Sequence, residues 1–160
     1  MKKTIHIIPG WKESSKYKIY QSLAELSREK GYDAIFYDVD WNKPLSSQIF
    51  PVQKNAIVFG FSLGAILAHL IAQQYKCRKL ILASMTPFYS FKNKKIKREL
   101  IDLWGKMFIE DISKKLRTKH RACNQTVIYG DREDEPGDII VPRTGHRLNA
   151  RYNETIAKLL

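Results

Sequence analysis

Six short apolar runs, most of them rich in β-branched residues, recur along this chain, and helical patterns separate most of them. The runs are Thr4–Ile8, Ala34–Tyr37, Ala56–Phe59, Lys79–Ala83, Thr126–Tyr129 and Ile139–Val141. Helical patterns cover Ser15–Lys30, Leu63–Tyr75, one or two segments between Lys94 and Leu116, and a last stretch from about Asn149 to Leu160. Gly31, directly after Lys30, is a helix stop. Residues 41–55, with Pro44 and Pro51, read as loop with one helical turn around Ser46–Ile49. Alternation of this kind predicts an α/β fold: a three-layer, doubly wound, mostly parallel sheet of about six strands flanked by helices. No repeat, low-complexity tract or linker divides the chain, and 160 residues suffice for one core, so residues 1–160 read as a single domain.

The common order for five parallel strands is 2-1-3-4-5, which makes the first and third strands neighbours. Their ends carry "IPGW", residues 8–11, and "FGFSLG", residues 59–64, so the two glycine-punctuated ends are expected to meet in one crevice. One connection resists this scheme. Nine residues, Gly130–Asp138, leave no room for a crossover helix, and parallel neighbours normally need about a dozen residues or more. Either the last strand lies elsewhere, or the final link is unusually tight.

Gly60-Phe61-Ser62-Leu63-Gly64 follows an apolar run and opens a helical one. G-x-S-x-G in that context is a nucleophile elbow, in which glycines permit a sharp bend that lifts the serine hydroxyl above the sheet. The plainer alternative is a tight packing turn or a phosphate cradle, but the G-x-G-x-x-G spacing and the P-loop lysine are both missing. A nucleophilic serine needs a base. His69 lies seven residues past Ser62, about 10 Å along a helix and out of reach. It reads as a core or helix-face residue. His6 sits inside the first strand with a structural role, and His120 belongs to a solvated basic segment. Elimination leaves His146, in "VPRTGHRL" after the last strand. For the acid that orients it, Asp131, Glu133, Asp134, Glu135 and Asp138 in "VIYGDREDEPGD" all compete. The chain order serine, acid, histidine is that of one of the three familiar triad arrangements.

The net charge is +12, from 28 Lys and Arg against 16 Asp and Glu, which favours contact with anions. Much of it lies in Lys92–Arg121, where Trp104, Met107, Phe108, Ile112 and Leu116 fall at helical spacing. That pattern predicts an amphipathic helix with a solvated lysine face. No zinc-finger, RNP or aromatic-interleaved signature points to nucleic acid. The apolar run Ala56–Ala72 carries Ser62, His69 and glycines, so it reads as strand, turn and core helix and not as a membrane span. The N-terminal apolar stretch is too short for export. Cys77 and Cys123 make no disulfide framework, which fits a reducing, cytoplasmic setting. Scattered histidines imply no metal, and no cofactor motif is present.

The stretches "IHIIPGW", "GFSLG", "YGDRED" and "TGH" together resemble a minimal member of the α/β-hydrolase superfamily, similar to small single-domain serine hydrolases without a cap. The likeness covers nearly the whole chain. It implies an acid three residues after a strand-ending glycine, which from Gly130 is Glu133; Asp134 is adjacent, aspartate is commoner at this place, and the choice stays open. Pro9-Gly10 stands where the family often has His-Gly, in a role that needs only backbone. The resemblance further implies an oxyanion hole from the backbone N–H groups of Leu63 and Trp11. Trp11, Met85 and Phe88, near strand ends, are expected to line a pocket for a small-molecule acyl substrate. The implied activity is hydrolysis of an ester, thioester or amide through an acyl-enzyme on Ser62. The rivals are an acyltransferase using the same residues, and a catalytically weak binding protein holding an anionic partner on its basic surface.

Overall fold

The chain is described over residues 2–160 by a computed structural model. Its sheet has six parallel strands: β1 (Lys3–Ile8), β2 (Tyr32–Phe36), β3 (Ile57–Phe61), β4 (Lys79–Ala83), β5 (Asn124–Gly130) and β6 (Ile139–Val141). The spatial order is β2-β1-β3-β4-β5-β6, so the expected order holds with one strand added at the edge. Five helices flank it: α1 (Lys18–Glu29), α2 (Leu63–Gln74), α3 (Lys94–Trp104), α4 (Lys106–Lys115) and α5 (Ala150–Ala157).

Strand alternation distributes the core between two faces. Ile5, Ile7, Ile57, Phe59 and Ile81 point to one face, where Tyr20 and Leu23 of α1 and Tyr152 and Ile156 of α5 cover them. Ile8, Val58, Leu80 and Leu82 point to the other, under α2, α3 and α4. Leu63 to Ala72 of α2 are all buried, so this helix is apolar around its whole girth and sits inside the second layer. Among the described residues no helix is long and apolar enough to cross a membrane.

Several boundaries differ from the sequence expectation, each for a local reason. β3 runs two residues further, to Phe61, because Gly60 and Phe61 still pair with Leu82 and Ala83 of β4; the bend comes only at Ser62. β2 starts at Tyr32 and ends at Phe36 because its ladder with β1 begins at Lys3. The basic segment breaks into two helices at Gly105, whose φ of +90° no helix accommodates. That break resets the helical phase, so Met107 is half exposed while Phe108 and Ile112 are buried. The final link is the tight one. A 3-10 turn at Asp131–Glu133 starts it, and Asp138 ends it by bonding Val127 twice, through its N–H at 2.8 Å and its carboxylate at 2.7 Å. A crossover helix is dispensable here because β6 pairs over only three residues, Ile139 to Val141.

Candidate active site

Ser62 occupies the bend between β3 and α2 with φ 55° and ψ −121°, a conformation that ordinary side chains adopt only under constraint. Its N–H donates to the Ala83 carbonyl at 2.9 Å, which pins the bend to β4. The flanking glycines are required by contact. A Cβ on Gly60 would lie 2.3 Å from the Gly64 carbonyl oxygen, and one on Gly64 would lie 2.2 Å from that of Pro9. The start of α2 therefore presses on the end of β3, which requires Gly60, and on the end of β1, which requires Gly64.

The Ser62 Oγ lies 2.9 Å from Nε2 of His146, which reaches it from the loop between β6 and α5. Asp131 holds that loop: its carboxylate accepts from the N–H groups of Arg143 at 2.8 Å and Thr144 at 2.9 Å. The Arg132 N–H adds a bond to the Thr144 carbonyl at 3.0 Å. His146 Nδ1 lies 2.8 Å from Glu133 Oε1. An ionised carboxylate only accepts, so Nδ1 carries the proton and Nε2 keeps a lone pair for the Ser62 hydroxyl. Ser62 is nearly buried at 4% exposure, whereas the His146 side chain is 53% exposed, so the arrangement opens to solvent on the histidine side.

Glu133 is fixed by more than histidine. Its second oxygen accepts from the Gly130 N–H at 2.6 Å, the Ser84 hydroxyl at 2.7 Å and the Tyr152 hydroxyl at 2.9 Å. Burial pushes its pKa up, but the bonds from His146, Gly130, Ser84 and Tyr152 outweigh this and hold it below the usual glutamate range. Asp134, the other acid singled out in the sequence, is exposed in a left-handed turn at φ 54° and does not bond His146. The remaining carboxylates have other work: Asp131 braces the histidine loop, Asp138 ties β5 to β6, and Glu135 accepts from the Tyr89 hydroxyl. Ser84 and Tyr152 escape the sequence reading. Ser84 could be suspected from its place at the C-terminal end of β4, where such sheets gather functional groups; no sequence signal marks Tyr152.

Tyr152→Phe should lower stability by about 1.5–3 kcal/mol, the usual worth of a hydrogen bond to a charged group. Because the folded pKa of Glu133 is depressed, its contribution is complete above the unfolded value of about 4.3 and is lost as pH falls through the lower folded value. Removing the tyrosine hydroxyl brings the folded value back up. Urea unfolding between about pH 3 and pH 5 should therefore show a shallower acid loss in the variant; identical slopes would mean that the bond does not act on Glu133.

Leu63 is the first residue of α2, so its N–H has no intrahelical acceptor. Trp11 follows Gly10 beyond β1, the neighbour of β3. Among the described residues, neither N–H donates to another protein group. The Trp11 ring packs edge-on against Trp41 and Phe108, with centroids 5.0 and 5.8 Å away. A cavity of about 310 Å³ adjoins His146 between Ser84–Pro87, Tyr129 and Arg132. Of the three residues expected to line a substrate pocket, Met85 lines this one; Trp11 does not, and Phe88 instead stands edge-on to His69 with centroids 5.1 Å apart.

The other histidines are structural. His6 packs on Phe50. His69 is fully buried and donates from Nε2 to the Arg117 carbonyl at 2.7 Å, and burial lowers its pKa to about 4. His120 is half-buried against His69, less exposed than its basic neighbourhood suggests, because the chain after α4 folds back onto α2. Among the described residues, no group of three metal-ligating side chains is arranged to hold an ion.

No family model and no curated protein matches the sequence. Solved structures do match its shape. Alpha/beta hydrolase domain-containing protein 10 from mouse superposes with a TM-score of 0.67 at 14% identity, over 98% of this chain and 87% of that one. An alpha/beta hydrolase enzyme from the sediment metagenome of the lagoon of Mar Chica, Morocco, gives 0.66 at 15% identity, over 99% and 89%. Human thioesterase 2 gives 0.59 at 13% identity, over 99% and 94%. At such identities the likeness is one of fold.

Proposed function

We propose that this chain, which has the α/β-hydrolase fold, is a serine hydrolase that cleaves an ester, thioester or amide of a small acyl substrate. The observation that carries this reading is the continuous bonded chain from Ser62 Oγ through His146 to Glu133, built at a strained bend. The hydrolase and thioesterase names of its structural neighbours support the same class of reaction.

In this mechanism His146 Nε2 takes the proton of Ser62 as Oγ attacks the acyl carbon, and Glu133 stabilises the imidazolium. The N–H groups of Leu63 and Trp11 receive the oxyanion. Collapse breaks the bond to the leaving group, which departs with the proton from His146. Water, deprotonated by the same nitrogen, then attacks the acyl-enzyme; the bond from the acyl carbon to Ser62 Oγ breaks, His146 returns the proton to Oγ, and the acid leaves. The cavity of about 310 Å³ beside His146 admits a compact acyl or leaving group, with Met85 as its apolar wall. The open histidine side also lets an acceptor other than water approach.

Aryl esters and thioesters of increasing chain length, assayed with and without an added alcohol or amine, test both outcomes. The expected product is free acid, and turnover of none of them by the folded protein would remove the proposal. Glu133→Gln should lower kcat by about ten-thousand-fold, because it leaves His146 in the wrong tautomer. Asp134→Asn should leave kcat within about threefold, since its carboxylate touches nothing in the relay. Equal losses in the two variants would put the acid elsewhere.

A further inference from the structure

The basic segment after β4 has no part in the chemistry above, yet it encloses a second cavity. This one measures about 410 Å³ and lies between the 3-10 turn at Phe88–Phe91, the end of α4 and the loop after it. Phe88, Phe91, Ile112 and Leu116 form its apolar wall, and Lys92, Arg117 and Lys119 its cationic one. No carboxylate lines it. Among the described residues these three cations form no ion pair, although other surface lysines do. The Ser113 hydroxyl, also in the lining, is buried without a hydrogen-bond partner.

The cationic loop is held in place. Gln73 of α2 accepts from the Arg117 N–H at 2.6 Å and donates to the Lys115 carbonyl at 3.0 Å. Buried His69 clasps the Arg117 carbonyl from the same helix. The Arg117 guanidinium spends one N–H on the Lys114 carbonyl and has others to offer. Like charges gathered at a pinned loop repel one another, and an unpartnered hydroxyl resists burial; a ligand that is anionic at one end and apolar at the other relieves both. The volume lies within the range of small-molecule sites.

We propose that this cavity binds a short-chain amphiphile with an anionic head, a phosphate or a carboxylate, separately from the Ser62 centre. The apolar tail lies against Phe88, Phe91, Ile112 and Leu116, and the head meets Arg117, Lys119 and Lys92, with the Ser113 hydroxyl as a further donor.

Calorimetric titration of the Ser62→Ala protein with octyl phosphate, octanoate, octanol and octyltrimethylammonium tests this without turnover. One anionic ligand should bind per chain, whichever head proves tighter, with octanol and the cation at least about tenfold weaker. Arg117→Ala/Lys119→Ala should weaken the anion by about a hundredfold while leaving the circular dichroism spectrum and unfolding midpoint close to those of the parent. On the parent protein, saturating ligand should leave the rate of fluorophosphonate labelling of Ser62 unchanged. Failure of both anions to bind the folded protein would overturn the proposal. So would binding that ignores the double substitution, or that protects Ser62. If the parent resists labelling altogether, the hydrolase reading fails alone, and the Arg117/Lys119 titration still decides this one.

Discussion

Ser62→Ala and His146→Ala are each expected to lower kcat for an ester substrate by on the order of a million-fold, and the double variant to be no slower than either. The reason is that the two side chains act as one unit. With Oγ and Nε2 2.9 Å apart, the hydroxyl is a useful nucleophile only if the imidazole takes its proton, and the acyl-enzyme whose hydrolysis the imidazole later assists forms only on that hydroxyl. Losing one partner therefore wastes the other. A residual rate about a thousandfold above water should persist in all three variants, because the N–H groups proposed as oxyanion donors, those of Leu63 and Trp11, belong to the backbone and survive the side-chain changes. Steady-state kinetics checks this. Losses that multiply in the double variant would mean that the residues contribute independently, which the bonded geometry does not allow.

Gly64→Ala is expected to destabilise the fold by about 3 kcal/mol or more, the upper end of overpacking penalties. The new methyl would meet the carbonyl oxygens of Pro9 at 2.2 Å and Ile8 at 2.5 Å, and neither is a side chain that can swing away. Relief requires α2 to move off β1, which also displaces Ser62. Gly31 supplies the comparison. Its φ is +82° and a methyl there would meet nothing within 4 Å, so Gly31→Ala should cost only about 1 kcal/mol of backbone strain. Urea unfolding of the two variants separates contact from conformation. If Gly64→Ala proves no worse than Gly31→Ala, the helix does not press on β1 as described.

The centre of the sheet is readable from the chain because β3 and β4 are buried on both faces and so form continuous apolar runs, bounded by turn residues. Strand order then follows from parallel connections, and with it the meeting of the Gly10 and Ser62 bends. Periodicity misleads at Gly105, where one positive φ shifts the phase of everything after it and brings Met107 to the surface. It also gives no account of the link from β5 to β6, which is made by the Asp138 side chain and a 3-10 turn, neither of which has a periodic signature. The G-x-S-x-G motif singles out Ser62 and elimination His146, whereas the acid stays ambiguous at sequence level because Glu133 and Asp134 are adjacent. What separates them is φ: the chain turns left-handed at Asp134, while Glu133 lies on the 3-10 turn facing three donors from separate elements. Contacts such as Ser84 and Tyr152, 68 residues apart, exist only after folding.

The most direct measurement is the intact mass of the protein after reaction with a fluorophosphonate, followed by peptide mapping. A single adduct on Ser62 is expected, lost in Ser62→Ala and greatly slowed in His146→Ala, which keeps the hydroxyl but has no base. A folded protein that takes up no label, or takes it up equally well without Ser62, would contradict the assignment of Ser62 as nucleophile.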